Sequence, residues 1–397
     1  MGQMKYSVKN KIENSTKVII NSPKNPYYNE KRNNYNTFCT FKSIDDIYYL
    51  VYIVNRTHII FYNLIDERKV IDIDTGCFWI YPLQEIKYLF DENNKRDLLF
   101  SLSEDFILKL WNVNNFECLF NIKIKLSEKY FESYRFHNHL GFMKLENKSY
   151  IIIVTDIMDK VKIFDLNGKQ LNADYRCNLK IEKYKELIFM DTYYEKKSCK
   201  NYIFFYIYYS TKKEVLCIYD YQKKEIYKEY PEIYHAYEQI IINDNNENLI
   251  KMIYLINYNS IGVFNFHSGE LLNKIKIAII PFRNKIFTDQ NHYDSIYNLA
   301  YWNDNYIFLS YGKVIVADVK YGSWGSRSEY DKRYYSIEVI NSKGQKMKQI
   351  FQLTTVDNSI FIKKICHPKY GDCLLTQDSC GEIKIIQIKL SYNINNN

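Results

Sequence analysis

The feature that most constrains this chain is a recurring strand ending. Seven times an alternating, strand-like run closes on a large apolar residue followed by a polar one. The pairs are Tyr62-Asn63, Trp111-Asn112, Phe164-Asp165, Tyr219-Asp220, Phe264-Asn265, Ile340-Asn341 and Ile386-Gln387. Their polar members, at 63, 112, 165, 220, 265, 341 and 387, stand 49, 53, 55, 45, 76 and 46 residues apart. Repetition at such a period marks a chain built from copies of one supersecondary unit, each needing neighbours to bury its faces. After every pair but the last, the chain runs through a turn into another apolar strand. Gly168, Gly269 and Gly344 sit in three of those turns, where positive φ is often required.

The fullest copy is Asp97–Lys125. Its apolar runs Leu98–Leu102, Phe106–Trp111 and Phe116–Ile124 are separated by the polar breaks Ser103-Glu104-Asp105 and Asn112–Asn115, which reads as three short strands joined by tight turns. In detail the unit resembles a WD40 repeat. Ser103-Glu104-Asp105 stands where that family has its acidic turn, and Leu108-Lys109-Leu110-Trp111-Asn112 where it has I-K-x-W-D, with Asn112 in place of the Asp. The last copy, through Ile365-Cys366-His367-Pro368, Gly371–Leu375 and Gly381–Ile388, resembles the first three strands of such a blade.

The resemblance covers about Thr16 to Leu390. It implies an all-β, seven-bladed β-propeller of four-stranded antiparallel blades. The family's blades share a buried network of a turn Asp, a His, a Ser or Thr, and the Trp. Ser103, Asp105 and Trp111 match three of its members, no His lies near Gln84–Ile86, and the other six copies lack the Trp. After Ile388 no fourth strand remains, while Lys17–Ile20 is an orphan strand before the first copy. A ring of blades must protect its open edges. The amino-terminal strand is therefore expected to complete the last blade, in a single domain over 16–390 between tails 1–15 and 391–397. The long gap before Ile340-Asn341 holds an expected insertion, Tyr321–Arg333. Ala317-Asp318 is a rival sixth marker, set aside because the Asn341-Ser342-Lys343-Gly344 turn repeats the hairpin chemistry of the other copies.

Composition agrees with strands: the chain has 40 Tyr and 23 Phe but only 12 Gly and 6 Pro, so its turns must lean on Asn, Asp and Ser. Helical periodicity is thin, with Ser127–Tyr134 offering a turn or two. The net charge of +8 is carried by dispersed groups, including the pairs Lys196-Lys197, Lys223-Lys224 and Lys363-Lys364. That dispersal argues against nucleic acid, which calls for a concentrated basic face. Nine Cys without a CxxC pair do not make a disulfide scaffold. No run reaches the roughly 18 apolar residues of a membrane span, and Met1–Asn10 is not of signal-peptide type. The expectation is an intracellular, cytoplasmic protein, with the nucleus the other compartment open to it.

No residue pattern points to catalysis, a cofactor or a metal. Neither phosphate-binding glycine motif occurs, nor a G-x-S-x-G elbow. His137-Asn138-His139, and the set Cys366, His367, Cys373 and Cys380, lack the spacing of a zinc site. No Arg-Arg pair of the phosphoinositide-binding propellers occurs, Phe282-Arg283-Asn284-Lys285 being the nearest approach. The resemblance implies a non-catalytic scaffold or adaptor that binds other proteins or peptides within a larger complex. A propeller-fold enzyme of hydrolase or lyase type, or a phosphoinositide-binding propeller, is the alternative. Trp324, Arg327 and Tyr330, of the residue types enriched at binding hot spots, are the candidate partner contacts.

Overall fold

The computed structural model describes residues 17–21, 37–77, 81–124, 139–154, 160–171, 175–177, 184–209, 214–231, 233, 240–244, 249–257, 260–277, 295–303, 306–315, 332–354, 361–377 and 382–388. Their regular structure is entirely β-strand. The chain opens with β1 (Lys17–Asn21). Blade 1 is β2 (Phe38–Lys42), β3 (Tyr48–Val54), β4 (His58–Asn63) and β5 (Arg68–Asp74). Blade 2 is β6 (Leu83–Asp91), β7 (Arg96–Ser103), β8 (Ile107–Asn112) and β9 (Cys118–Lys123). Blade 3 is β10 (Leu140–Leu145), β11 (Lys148–Val154), β12 (Lys160–Asp165) and the short β13 (Tyr175–Arg176). Blade 4 is β14 (Tyr184–Glu195), β15 (Lys200–Tyr209), β16 (Glu214–Asp220) and β17 (Glu225–Pro231). Blade 5 is β18 (Ile240–Asp244), β19 (Leu249–Asn257), β20 (Ser260–Asn265) and β21 (Leu271–Lys276). Blade 6 is β22 (Ser295–Asn303), β23 (Tyr306–Ile315), β24 (Lys332–Asn341) and β25 (Lys346–Thr354). Blade 7 is β26 (Phe361–His367), β27 (Gly371–Gln377) and β28 (Ile383–Gln387), with β1 as its fourth strand.

Every sheet is antiparallel, and blades 1 to 6 keep their strands in chain order. In blade 7, Lys17 lies opposite Gln387 and Val18 opposite Ile386. The chain is thus an all-β, seven-bladed β-propeller whose amino-terminal strand completes the last blade. All seven marker pairs end the third strand of a blade, Ile340-Asn341 included. The last two residues of the expected insertion, Lys332 and Arg333, belong to β24, and the rest of it lies outside the described residues, as does Ser127–Tyr134. Among the described residues no helix is long and apolar enough to cross a membrane.

Burial explains the strand sequences. Second strands are covered on both faces, so β3 (YYLVYIV) and β7 (RDLLFSLS) read as nearly continuous apolar runs rather than alternations. Fourth strands lie open: β9 and β21 are mostly exposed along their length. Within a second strand, successive side chains serve different cores. Leu98, Phe100 and Leu102 of β7 pack with Ile151, Ile153 and Phe164 of blade 3, whereas Leu99, between them, packs with Val51 and Phe61 of blade 1. Burying such a side chain contributes about 1.5–3 kcal/mol.

The chain divides into two compact units: Asn25–Asp289, holding blades 1 to 5, and Met1–Lys24 with Gln290–Asn397, holding blades 6 and 7. In the larger unit each blade shares a core with the next; the fourth such core sets Phe204 and Ile218 against Met252 and Phe266. In the smaller unit Phe308 and Val339 pack on Leu374 and Ile386.

Candidate interaction face

In the marker pairs of blades 2 to 5 the two members divide the labour. The apolar member enters an inter-blade core, as Trp111, Phe164 and Tyr219 do, all at least nine-tenths buried; Phe264 packs edge-on against Tyr230, with ring centres 5.3 Å apart. The polar member caps the turn that follows. Asn112 Oδ1 accepts the Asn114 N–H at 3.1 Å, and Asp165 Oδ1 accepts Asn167 at 2.9 Å and Lys169 at 2.8 Å. Asp220 Oδ1 accepts Lys223 at 3.0 Å, and Asn265 Oδ1 accepts His267 at 2.9 Å and Ser268 at 3.1 Å. These side-chain-to-backbone bonds hold the turns in shape whether or not a glycine follows.

Ser103 and Asp105 come together as their spacing implies: the Ser103 hydroxyl donates to Asp105 and accepts the Ile107 N–H at 3.2 Å. Asp105 also takes the Lys123 ammonium at 3.2 Å. Neither is the partner of Trp111, whose indole N–H donates to Ser101 Oγ at 2.9 Å. Ser101 and Trp111 lie near each other on the adjacent strands β7 and β8, a step the turn-centred reading of the sequence passes over. Trp324, Arg327 and Tyr330 lie outside the described residues, as do His137 and Cys380. Cys366 is exposed while Cys373, opposite Ile365 on the neighbouring strand, is buried, so the two thiols point to different faces. Among the described residues no three His, Cys, Asp or Glu side chains are grouped to hold a metal.

In an antiparallel blade the turn from first to second strand and the turn from third to fourth emerge at the same end. At that end the turns of blades 1 to 5 are hydrogen-bonded to one another. Blade 1 meets blade 2 through Asp97 Oδ2, which accepts the Ile44 N–H at 2.7 Å, and through Asn114 Nδ2, which donates to Asp45 at 2.9 Å. Blade 2 meets blade 3 through Asn93 Nδ2 on the Asn147 carbonyl at 3.3 Å and the Glu92–Lys144 ion pair. Blade 3 meets blade 4 through the buried Asn201 side chain, which accepts the Lys144 N–H and donates to the Lys144 carbonyl, both at 2.8 Å. Blade 4 meets blade 5 through His267, 2.9 Å from Glu195 and 3.0 Å from the Tyr227 hydroxyl, and through Lys228 on the Ser268 carbonyl at 3.2 Å.

A second inter-blade junction joins first strands. Glu85, in the stretch where the sequence lacks a histidine, accepts the His139 and Leu140 N–H groups at 2.9 and 3.0 Å. Lys87 stands 3.5 Å from Glu85 and 2.9 Å from Asp191, so blades 2, 3 and 4 meet around one nearly buried ammonium. Burial holds the Glu85 carboxyl above its usual range, with Lys87 and the two backbone bonds opposing. For Lys87 burial works against the charge, but Asp191 and Glu85 outweigh it and raise its pKa. Nothing in the sequence marks this group, since Lys87 and Asp191 are 104 residues apart.

The lysine pairs also fall differently in space. Lys196-Lys197 lies in the first turn of blade 4 and Lys223-Lys224 in the last turn of the same blade. Gln222 joins those turns: its Oε1 accepts the Asn201 N–H at 2.9 Å and its Nε2 donates to the Cys199 carbonyl at 3.2 Å.

No family model matches the chain, and no curated protein matches it in sequence. Solved structures do match in shape. Chaetomium thermophilum Raptor superposes at a TM-score of 0.51 with 8% identity over 92% of this chain, which spans only 29% of the Raptor chain. The Cps50 (Swd1) β-propeller domain of Myceliophteria thermophila superposes at 0.51 with 9% identity, over 94% of this chain and 100% of that one. At such identities the likeness is one of fold, and the fold is a β-propeller.

Proposed function

We propose that this chain is a non-catalytic scaffold: a single propeller domain over 16–390 that holds other proteins or peptides within a larger complex inside the cell. The observation that carries the reading is the interlocked turn face of blades 1 to 5. Its turns are capped by their own side chains and tied to the next blade, so little conformational freedom remains to be lost when a partner docks. The groups buried at the blade junctions support the same reading. Glu85, Lys87 and Asn201 are spent on holding blades together, which favours a rigid platform over the hydrolase or lyase alternative. A further proposed contact is Trp324, Arg327 and Tyr330, in the segment before β24.

The test is affinity capture of the tagged full-length chain from its native cells at physiological salt, with bound proteins identified by mass spectrometry. A reproducible set of proteins is expected, reduced by W324A/R327A at unchanged melting temperature. Retention of no protein above an untagged control would remove the scaffold reading. Undiminished retention by W324A/R327A would remove only that contact.

A further inference from the structure

Within blades 1 to 5 one edge strand differs from the rest. β21 (LLNKIK) is the last strand of the blade 5 sheet, paired with β20 on one side only. An edge strand turns unpaired backbone N–H and C=O groups outward, and proteins blunt such edges with short strands, proline and charge. β13 has only two residues, and β17 ends on Pro231. The lysines of two further edges are already engaged: Lys69 of β5 with Asp72 at 3.3 Å, and Lys123 of β9 with Asp105 at 3.2 Å. On β21, Leu271 and Leu272 are 43% and 41% exposed, and Lys274 and Lys276 are exposed beside them. Among the described residues neither of these lysines is ion-paired; opposite them on β20 stand Gly262 and Ser260, which carry no charge.

We infer that the free edge of β21 takes an extended, acidic segment of a partner protein as a fifth strand of blade 5. This deepens the scaffold reading and rests on it, on a surface apart from the turn face. In such strand addition the backbone pairing supplies affinity and the side chains select the segment. Lys274 and Lys276 share one face of the strand, and Ile275 between them is buried on the other. A matching segment therefore alternates, with Asp or Glu beside the lysines and β-branched residues between. The lysines also decide what stays away. A second copy pairing through its own β21 would bring four ammonium groups together with no acid on either strand, and like charges so placed are destabilising. A nucleic acid or a membrane surface would meet the lysines but has no peptide backbone to pair with the edge.

The test uses the full-length chain and a fluorescein-labelled peptide of four Glu-Thr repeats, with binding read by anisotropy. Saturable binding that weakens with added salt is expected. The fully N-methylated peptide keeps the charge but has no backbone N–H to donate, and should bind at least about tenfold more weakly. K274E/K276E should weaken binding of the unmodified peptide by about tenfold, since two attractions become two repulsions. If that protein does not fold, the neutral K274Q/K276Q replaces it, with a loss of about threefold expected. Equal affinity for the N-methylated peptide would overturn strand addition, and equal affinity of wild type and the substituted protein would overturn the site. Tighter binding to phosphatidylserine vesicles or to a single-stranded oligonucleotide than to the peptide would overturn the class of partner. If wild type captures proteins from cells but binds no peptide, the edge site falls and the scaffold reading stands.

Discussion

Blades 2 and 4 have the same four-stranded plan and are held by different chemistry. In blade 2, polar groups join strand to strand and blade to blade. Trp111 donates to Ser101, Ser103 and Asp105 close the middle turn, and Asp97 accepts both the Tyr88 hydroxyl at 2.7 Å and the Ile44 N–H of blade 1. In blade 4 the equivalent ground is aromatic. Tyr202 lies 5.0 Å from Tyr227 and 4.9 Å from Phe266 between ring centres, and Tyr193 stacks at 6.4 Å. Its polar links run outward to other blades: Asn201 and Thr192 toward blade 3, Asp191 toward Lys87 of blade 2, and Glu195 with His267 toward blade 5. What the two share is positional: an apolar residue and then a turn-capping Asn or Asp at the end of the third strand. The plan therefore depends on where apolar and capping groups stand, and much less on which hydrogen-bonding groups fill the space between blades.

The most damaging test of this contrast lies where the two blades meet. Lys87→Met keeps the apolar stem but leaves the buried Glu85 without its counter-charge, and breaking a buried pair in this way costs about 3–5 kcal/mol. Urea unfolding should show a midpoint lowered to match. A loss below about 1 kcal/mol would mean that the Lys87 ammonium adds little to the junction of blades 2, 3 and 4.

Asn201→Ala comes next. Asn201 is 1% exposed, and its loss strands the N–H and carbonyl of Lys144, for an expected cost of about 2–3 kcal/mol. Ser101→Ala in blade 2 should cost less, about 1 kcal/mol, with a coupling of similar size to Trp111→Phe in a double-mutant cycle. If Ser101→Ala proves the costlier of the two, the polar network of blade 2 holds its blade more firmly than the junction of blade 4, and the ranking drawn from burial fails.

How far these blades could be read in the sequence follows the same contrast. The strand ends were legible because an apolar residue followed by a turn cap is local, as in Tyr219-Asp220, and does not need the Trp to be recognised. The join of β1 to β28 was legible as well, because an edge strand left unpaired costs backbone hydrogen bonds that Lys17–Ile20 can supply. Glu85–Lys87–Asp191 was not legible, since it depends on three blades meeting and on no spacing within any of them. Ser101 was missed for a smaller reason: attention to the acidic turn favours Ser103, whereas the serine bonded to the indole lies on the strand beside it. The lysine pairs looked scattered because 26 positions separate Lys197 from Lys223, while the hairpins β14–β15 and β16–β17 bring their turns side by side.

The smallest effect expected is also the most diagnostic of blade 2, because two of its buried carboxyls respond to acid in opposite senses. Asp91 is 1% exposed; burial disfavours its charge, but hydrogen bonds from Asn94 at 2.7 Å and Arg96 at 2.9 Å outweigh this and lower its pKa. Its contribution to stability is present above the ordinary Asp value of about 3.9 and is lost as pH falls through the lower folded value. Glu85 is shifted upward, so the folded state holds that proton more tightly than the unfolded chain does. Its contribution is fully present below the ordinary Glu value of about 4.3 and is lost as pH rises through the higher folded value. On acidification of the wild type the Glu85 gain comes first, above the ordinary Glu value, and the Asp91 loss follows below the ordinary Asp value. Glu85→Gln, whose amide oxygen can still accept the His139 and Leu140 N–H groups, removes only the Glu85 gain, so as pH falls from neutral toward the ordinary Glu value its urea midpoint should lose ground to that of the wild type. Parallel profiles would mean that Glu85 keeps its charge through that range, and that Lys87 compensates its burial in full.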